Sequence, residues 1–375
     1  MDSTHQVMVA AGRTGSIDKR DAQGETSRVN QGLWALHWVV RMLAAILLLP
    51  YAVAKVGLSQ MGLLDYSQLL ITLGEKSPMG LVWTFIAFSP AIQVLAGLVE
   101  LTAVILVVWR KTAWLGGLIG VGALSVVFIL NLAYDIPVKG GALMQLGLYL
   151  LVLAPWLPSL WRCCRGRESN RWRVPMAVNN PKVHRFTRLF PVIVTAFIVA
   201  GSLAIAAFAV GIIRQENSGP VVGVFRVVED STPPAEQLVD DRRWAVVAFD
   251  ARQIPTMGES LGGDEESTRR ASLSLRRANG QLYSGFYEVQ GDTLRVELTK
   301  PLAVGDKKAS AFAQDMAEQF TFSWELERED KPGVKQHMQT LRLEREGQTM
   351  ELVSSRNDTL LLDRGFRWGG EAVLR

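Results

Sequence analysis

The apolar blocks between residues 34 and 213 contain few ionisable side chains, and those few are the first candidates for chemistry: Arg41, Lys55, Glu100, Asp135 and Lys139. A charge in hydrocarbon costs ~2.5–3.5 kcal/mol even on the gentler insertion scales, so such a group faces a bundle interior, finds a partner, or snorkels to the nearest interface. Counted at ~1.5 Å per residue, Arg41 in the first block and Glu100 in the second lie within a few ångströms of the same depth. They are therefore expected to pair, and Glu100, which cannot easily snorkel, is the first candidate for proton transfer. Lys55, at the opposite end of the first block, is level with the stretch NLAYDIPVKGG at 131–141. That height predicts an outer cluster of Lys55, Asp135 and Lys139, with Tyr134 and Asn131 beside it. Two plainer readings stand next to these. Either Arg41 and Lys55 snorkel and no pocket forms, or 131–141 is a solvated turn in which Asp135 and Lys139 need no partner.

Groups of this kind around an apolar slot suit a lipophilic electron carrier such as a quinone, which needs a proton donor and acceptor but neither metal nor thiol. They equally suit a path for protons or small solutes. Other chemistry is poorly served. A bis-histidine haem needs two imidazoles on facing helices, and only His37 lies in an apolar block. The only cysteines, Cys163 and Cys164, are adjacent in a basic loop, where a packing role is expected rather than disulfide exchange. Zinc spacings, a Walker loop and a dinucleotide fingerprint are all missing. No covalently bound or metal-ligated cofactor is expected.

The elements that must hold these groups are membrane spans. A spanning helix needs ~20 mostly apolar residues, and five segments qualify: 34–57, 90–109, 113–133, 142–160 and 189–213. The apolar piece 79–88 is cut off by Ser89-Pro90 and is expected to form a short interfacial or re-entrant segment. Ahead of the first span, residues 1–32 form a polar arm expected to be disordered, and its length argues against a cleaved signal peptide. Lys and Arg concentrate in that arm, at Arg110-Lys111 and through the basic loop 161–188, while the alternate loops hold Lys76 and Lys139. The arm is therefore expected to be cytoplasmic and the C-terminal domain, after a fifth span, extracytoplasmic. Trp34, Trp38, Trp109, Trp114, Trp156 and Trp161 then fall near the cytoplasmic interface. Gly116 with Gly120, and Ala196 with Ala200 and Ala204, have the spacing of close helix contacts.

The chain of 375 residues is one-fifth charged with a net charge of +4. The basic excess belongs to the first half and its flanks, because residues 214–375 carry more Asp and Glu than Lys and Arg. Nucleic acid is not an expected partner. In 214–375 the pattern changes to period-two alternation, as in Phe320, Phe322, Trp324 and Leu326, then Leu341 with Leu343 and Met350 with Leu352. Turn signals lie at 278–280, 290–292, 346–348 and Arg356-Asn357-Asp358. Eight to ten strands in a meander predict an antiparallel β-barrel or strongly curved sheet of the lipocalin type, with aromatic and aliphatic groups inside and a ligand cavity as an open possibility. Gly263-Asp264-Glu265-Glu266 reads as a solvated loop. With His337 as its one histidine and no thiol, this domain is expected to bind a ligand or partner rather than catalyse.

The residues Ser77-Pro78-Met79-Gly80-Leu81, Trp83-Thr84-Phe85, Ser89-Pro90, Gly97, Glu100, Arg110 and Tyr134-Asp135-Ile136-Pro137-Val138-Lys139 resemble the DoxX family of bacterial membrane proteins over about residues 35–158. Larger members are similar to this chain throughout, with a fifth span and a C-terminal β domain ending in a motif like Arg364-Gly365-Phe366-Arg367-Trp368; the tail 369–375 departs from the family's ending. The resemblance implies a four-helix membrane domain at 33–160 in a bacterial inner (plasma) membrane. It further implies a membrane subunit, accessory or non-catalytic by itself, of a quinone-linked or related redox assembly. The other expectation is a non-catalytic membrane anchor whose extracytoplasmic β domain binds a ligand or an envelope partner.

Overall fold

The computed structural model describes residues 3–167, 181–214, 220–254, 270–299, 316–329 and 338–363. The loop 263–266, His337, the 364–368 motif and the tail lie outside them. Two compact units emerge: one of residues 1–62 and 78–209, the other of 63–77 and 210–375.

The first unit is helical. Helices α1 (Ser3–Val56), α2 (Pro78–Phe88), α3 (Pro90–Val108), α4 (Ala113–Ala133), α5 (Lys139–Leu153), α6 (Leu157–Cys164) and α7 (Pro181–Arg214) follow in order. Five stretches are long and apolar enough to cross a membrane: Asn30–Val56, Pro90–Val108, Ala113–Ala133, Lys139–Cys164 and Arg188–Phe208. The polar arm, expected to lack regular structure, continues α1 back to Ser3; no proline precedes Pro50, so nothing covalent breaks the helix there. Helices α1, α3, α4 and α5 pack in a closed ring, each against two neighbours. Leu48, Leu101, Val104, Val107, Leu124 and Tyr149 fill the ring, and small residues let its helices approach closely. A Cβ on Gly116 would sit 2.6 Å from the Val107 nitrogen, and one on Gly120 would enter the Tyr149 ring at 2.1 Å. The outward faces are apolar instead, with Ile46, Leu95, Val126, Ile129 and Leu132 all exposed. The alanine stripe of α7 differs from expectation: Ala196, Ala200 and Ala204 are exposed. Helix α7 touches the ring with the face carrying Thr195, which accepts a bond from Trp109 Nε1 at 2.8 Å, and Ile198.

The second unit is a closed eight-stranded antiparallel barrel. Its strands are β1 (Gly223–Asp230), β2 (Trp244–Ile254), β3 (Arg270–Arg277), β4 (Leu282–Gln290), β5 (Thr293–Thr299), β6 (Met316–Glu329), β7 (Met338–Arg345) and β8 (Gln348–Ser354), paired in sequence order with β8 closing on β1. Period-two alternation sends Phe225, Val247, Phe249, Leu273, Leu294, Phe322, Leu341 and Leu352 inward, while Phe320, Trp324 and Leu326 pack at the edge of that core. Gly280, Gly291 and Gly347 take positive φ in the expected hairpin turns. The turn expected at Arg356-Asn357-Asp358 is a 3₁₀ turn followed by a short helix, α8 (Leu360–Asp363), rather than a hairpin. The Asp358 carboxylate accepts bonds of 2.8 and 2.9 Å from Arg226 on β1, which draws the chain across that strand.

Residues 63–77, which connect α1 to α2, belong to this barrel unit as a strap over its outer face. Strand β2 is apolar on both sides because both are covered: Val247 and Phe249 face in, while Val246 and Ala248, with Val224, pack against Leu70, Tyr66 and Leu69 of the strap. Pairing of β2 with β3 jumps from Phe249↔Leu273 to Gln253↔Ala271, so β2 bulges at 250–252. Asp65 takes the freed amides of Ala251 and Arg252, both at 3.2 Å. In return Asp250 accepts bonds from the Ser67 amide at 2.6 Å and its hydroxyl at 2.7 Å. Arg276 clamps the far end by an ion pair to Glu75 at 2.7 Å, and this bond holds the Glu75 carboxyl down to about 2.

Burial, with the Asp65 carboxylate beside it, pushes Asp250 up to about 7. A carboxyl raised above its unfolded value of ~3.9 lends full stability below that value and loses it as pH rises through about 7. Glu75 stays charged throughout this range, so the change belongs to the Asp65–Asp250 end. Hydrogen exchange on the full chain, corrected for intrinsic rates, should show protection at Ser67, Ala251 and Arg252 falling between pH 5 and pH 8. Asp250→Asn should flatten that profile; protection in the parent chain that holds or rises with pH contradicts the assignment.

Candidate functional site

An open cavity of about 970 Å³ lies between α2 and the helices of the ring, with a mostly apolar wall and a few convergent polar groups. Its geometry starts at Gly97. A Cβ there would lie 2.9 Å from both the Ala52 carbonyl and the Val56 nitrogen, so its absence lets α1 and α3 touch backbone to backbone. That contact sets the register of the two antiparallel helices and brings Lys55 to Glu100, one turn beyond Gly97. Lys55 Nζ donates to both Glu100 oxygens, at 2.8 and 2.7 Å, with the side chains only 6% and 3% exposed. An ammonium has three donors, and two of them are used here.

The expected inner pair is not formed. Arg41 lies level with Val107 rather than Glu100, donating through Nε at 2.8 Å and Nη2 at 2.6 Å to the Val107 carbonyl, and through Nη2 at 2.8 Å to that of Val108. These are carbonyls of the last turn of α3, which lack helical donors and sit at the negative end of the helix dipole. Arg41 is thus a cap for a neighbouring helix. One turn earlier, His37 does the same for α5, its Nε2 lying 3.0 Å from the Val152 carbonyl, with its ring between Trp34 and Trp156. The depth count failed because α3 projects about two turns past the end of α1. This places Glu100 some seven residues, ~10 Å, from the level of Arg41.

The outer cluster is not formed either. Asp135, 81% exposed, forms an ion pair with Lys139 across one helical turn, and Lys55 takes no part in it. The stretch 131–141 divides by side chain. Asp135, in the left-handed conformation at φ 47°, and Lys139 behave as a solvated turn, while Asn131 and Tyr134 line the cavity together with Lys55 and Glu100.

Three glutamines complete the site, and a count of ionisable residues overlooks them. Gln93, fully buried, accepts from the Met61 amide at 3.0 Å and donates to the Gly62 carbonyl at 3.3 Å, which ties the chain leaving α1 to the start of α3. Gln145 donates to the Leu47 carbonyl at 3.1 Å, joining α5 to α1. Gln60 is held near its backbone carbonyl by Trp83 Nε1 at 3.2 Å, and its buried side-chain oxygen has no hydrogen-bond partner. The signal was available: an amide inside an apolar run costs energy unless it is bonded, so each such glutamine marks a contact. The cavity mouth is bordered by Phe85 of α2 and by Ile92, Leu95 and Val126 of the ring, all exposed apolar side chains. No family model, curated protein or solved structure matches the chain.

This assignment separates two guanidinium or ammonium partners for one carboxylate. Breaking a buried pair by removing one member costs roughly 3–5 kcal/mol, because the other charge is left without compensation. Double-mutant cycles in detergent should therefore give Lys55→Met and Glu100→Gln a coupling of well over 1 kcal/mol, with the double variant nearer the parent than Lys55→Met alone. Arg41→Met with Glu100→Gln should be additive within about 0.5 kcal/mol. The opposite ranking would restore the Arg41–Glu100 pair.

Proposed function

We propose that the chain is a multi-pass protein of a bacterial plasma membrane, akin to the DoxX family, whose helical ring binds a quinone or similar lipophilic electron carrier as the membrane subunit of a redox assembly. The observation that carries this reading is the Lys55–Glu100 pair set in the wall of a 970 Å³ apolar cavity. That volume suits a quinone head group with the first part of its tail. The remaining Lys55 proton can be donated to a carbonyl oxygen, and the partnerless Gln60 oxygen can accept from a hydroxyl, so the wall matches both the oxidised and the reduced carrier. Reduction of a quinone takes two electrons and two protons. A partner subunit would supply the electrons, and the Lys55–Glu100 pair is placed to pass the protons. A mouth bordered by exposed apolar side chains fits entry from the lipid.

Membrane orientation has support beyond the distribution of Lys and Arg. The strap follows the first crossing and the barrel follows the fifth, so both emerge on one side, as a strap seated on the barrel requires. Helix α2, with 11 residues, is ~16 Å long and too short to cross. The strap and barrel are extracytoplasmic in this reading, and the start of α1 is cytoplasmic.

Purification in mild detergent, followed by extraction and mass spectrometry, should recover ubiquinone or menaquinone with the protein. Glu100→Gln and Lys55→Met should each lower the recovered amount at least tenfold, and an azidoquinone should label peptides of α1, α3 or α4. Quinone-free protein that is also unlabelled by the azide would end this reading.

A further inference from the structure

We infer that the barrel has a second binding site, at the end where the β1–β2 connection crosses it, for a small organic carboxylate with an aromatic or aliphatic body. The site is a cavity of about 340 Å³ within the barrel unit. Its floor is aromatic: Phe320 and Phe322 stack at 6.0 Å, and Trp244 meets them edge-on at 5.7 and 5.4 Å. Its rim carries both signs, with Arg242, Arg243, Arg277 and Arg345 against Asp240, Asp241 and Glu318. Arg243 is balanced by Asp241 at 2.8 Å and Arg277 by Glu318 at 2.6 Å. Arg345 differs. It lies over the Phe320 and Phe322 rings, 5.0 and 5.6 Å from their centroids, hydrogen-bonds to the neutral Gln348 amide at 2.8 Å, and pairs with no carboxylate among the described residues.

Arg277, 3% exposed, is already engaged by Glu318, by the Arg242 carbonyl and by the Tyr283 ring 4.4 Å away, which leaves Arg345 as the arginine over the aromatic floor that a ligand can reach. A guanidinium without a carboxylate partner above an aromatic floor selects for a carboxylate joined to a flat or apolar body. This site shares no residue with the helical cavity and stands or falls independently of it.

Calorimetric titration of the full chain in detergent with phenylacetate, phenylacetamide and phenethylamine tests the assignment. Saturable binding of phenylacetate is expected, at least tenfold tighter than that of the neutral amide or the amine, and weakened at least tenfold by Arg345→Gln. Arg345 is exposed, so that variant should fold, and circular dichroism will verify it; Arg345→Lys should retain part of the affinity. Phenylacetate that fails to saturate, that binds no better than its amide, or that is indifferent to Arg345→Gln overturns the proposal.

Discussion

The helical unit is organised around one buried ion pair. Moving Lys55 and Glu100 from water into the ring carries a desolvation penalty of several kcal/mol per charge, and only a tight, well-directed contact offsets it. Gly97 makes that contact reachable by letting α1 and α3 meet at their backbones. Once that register is set, Arg41 falls on the last carbonyls of α3 and His37 on that of Val152. The three polar side chains of α1 thus secure two neighbours at three heights. A buried pair can often be replaced as a whole by apolar residues at little cost, whereas loss of one member leaves the other charge uncompensated. Both members of this pair line the cavity.

The barrel unit is governed by a different constraint, the coverage of a strand that is apolar on both faces. The strap supplies the cover, and the bulge in β2 supplies the amides that fasten it. Two carboxylates from distant parts of the chain exchange roles there, Asp65 holding the bulge and Asp250 holding the strap. The same barrel fills its inner face with side chains and has room at one end, where arginines and aromatic rings meet.

Much of this was legible from residue patterns, for physical reasons. Continuous apolar runs located the five long helices, and alternation with turn glycines located the strands, since both signals are local. Glu100, Lys55, Asn131 and Tyr134 stand out in the sequence as polar groups near apolar runs, and all four line the cavity. Their partners were misjudged, because pairing depends on how far one helix slides along another, and a single glycine sets that slide. The strap was missed altogether. Its trace was the unbroken run Trp244-Ala245-Val246-Val247-Ala248-Phe249, which departs from the alternation of a barrel strand with one wet face and so announces a second covering layer.

The strap also imposes an order of events on biosynthesis. It leaves the ribosome between the first and second apolar helices, yet its seat on β1 to β3 is complete only when residue 277 has been made, roughly 200 residues later. At ~5–20 residues per second that interval is on the order of 10–40 s. Throughout it Leu70 has no apolar surface to cover and Asp65 no bulge amides to bind, so the strap can seat only after β1 to β3 have been made.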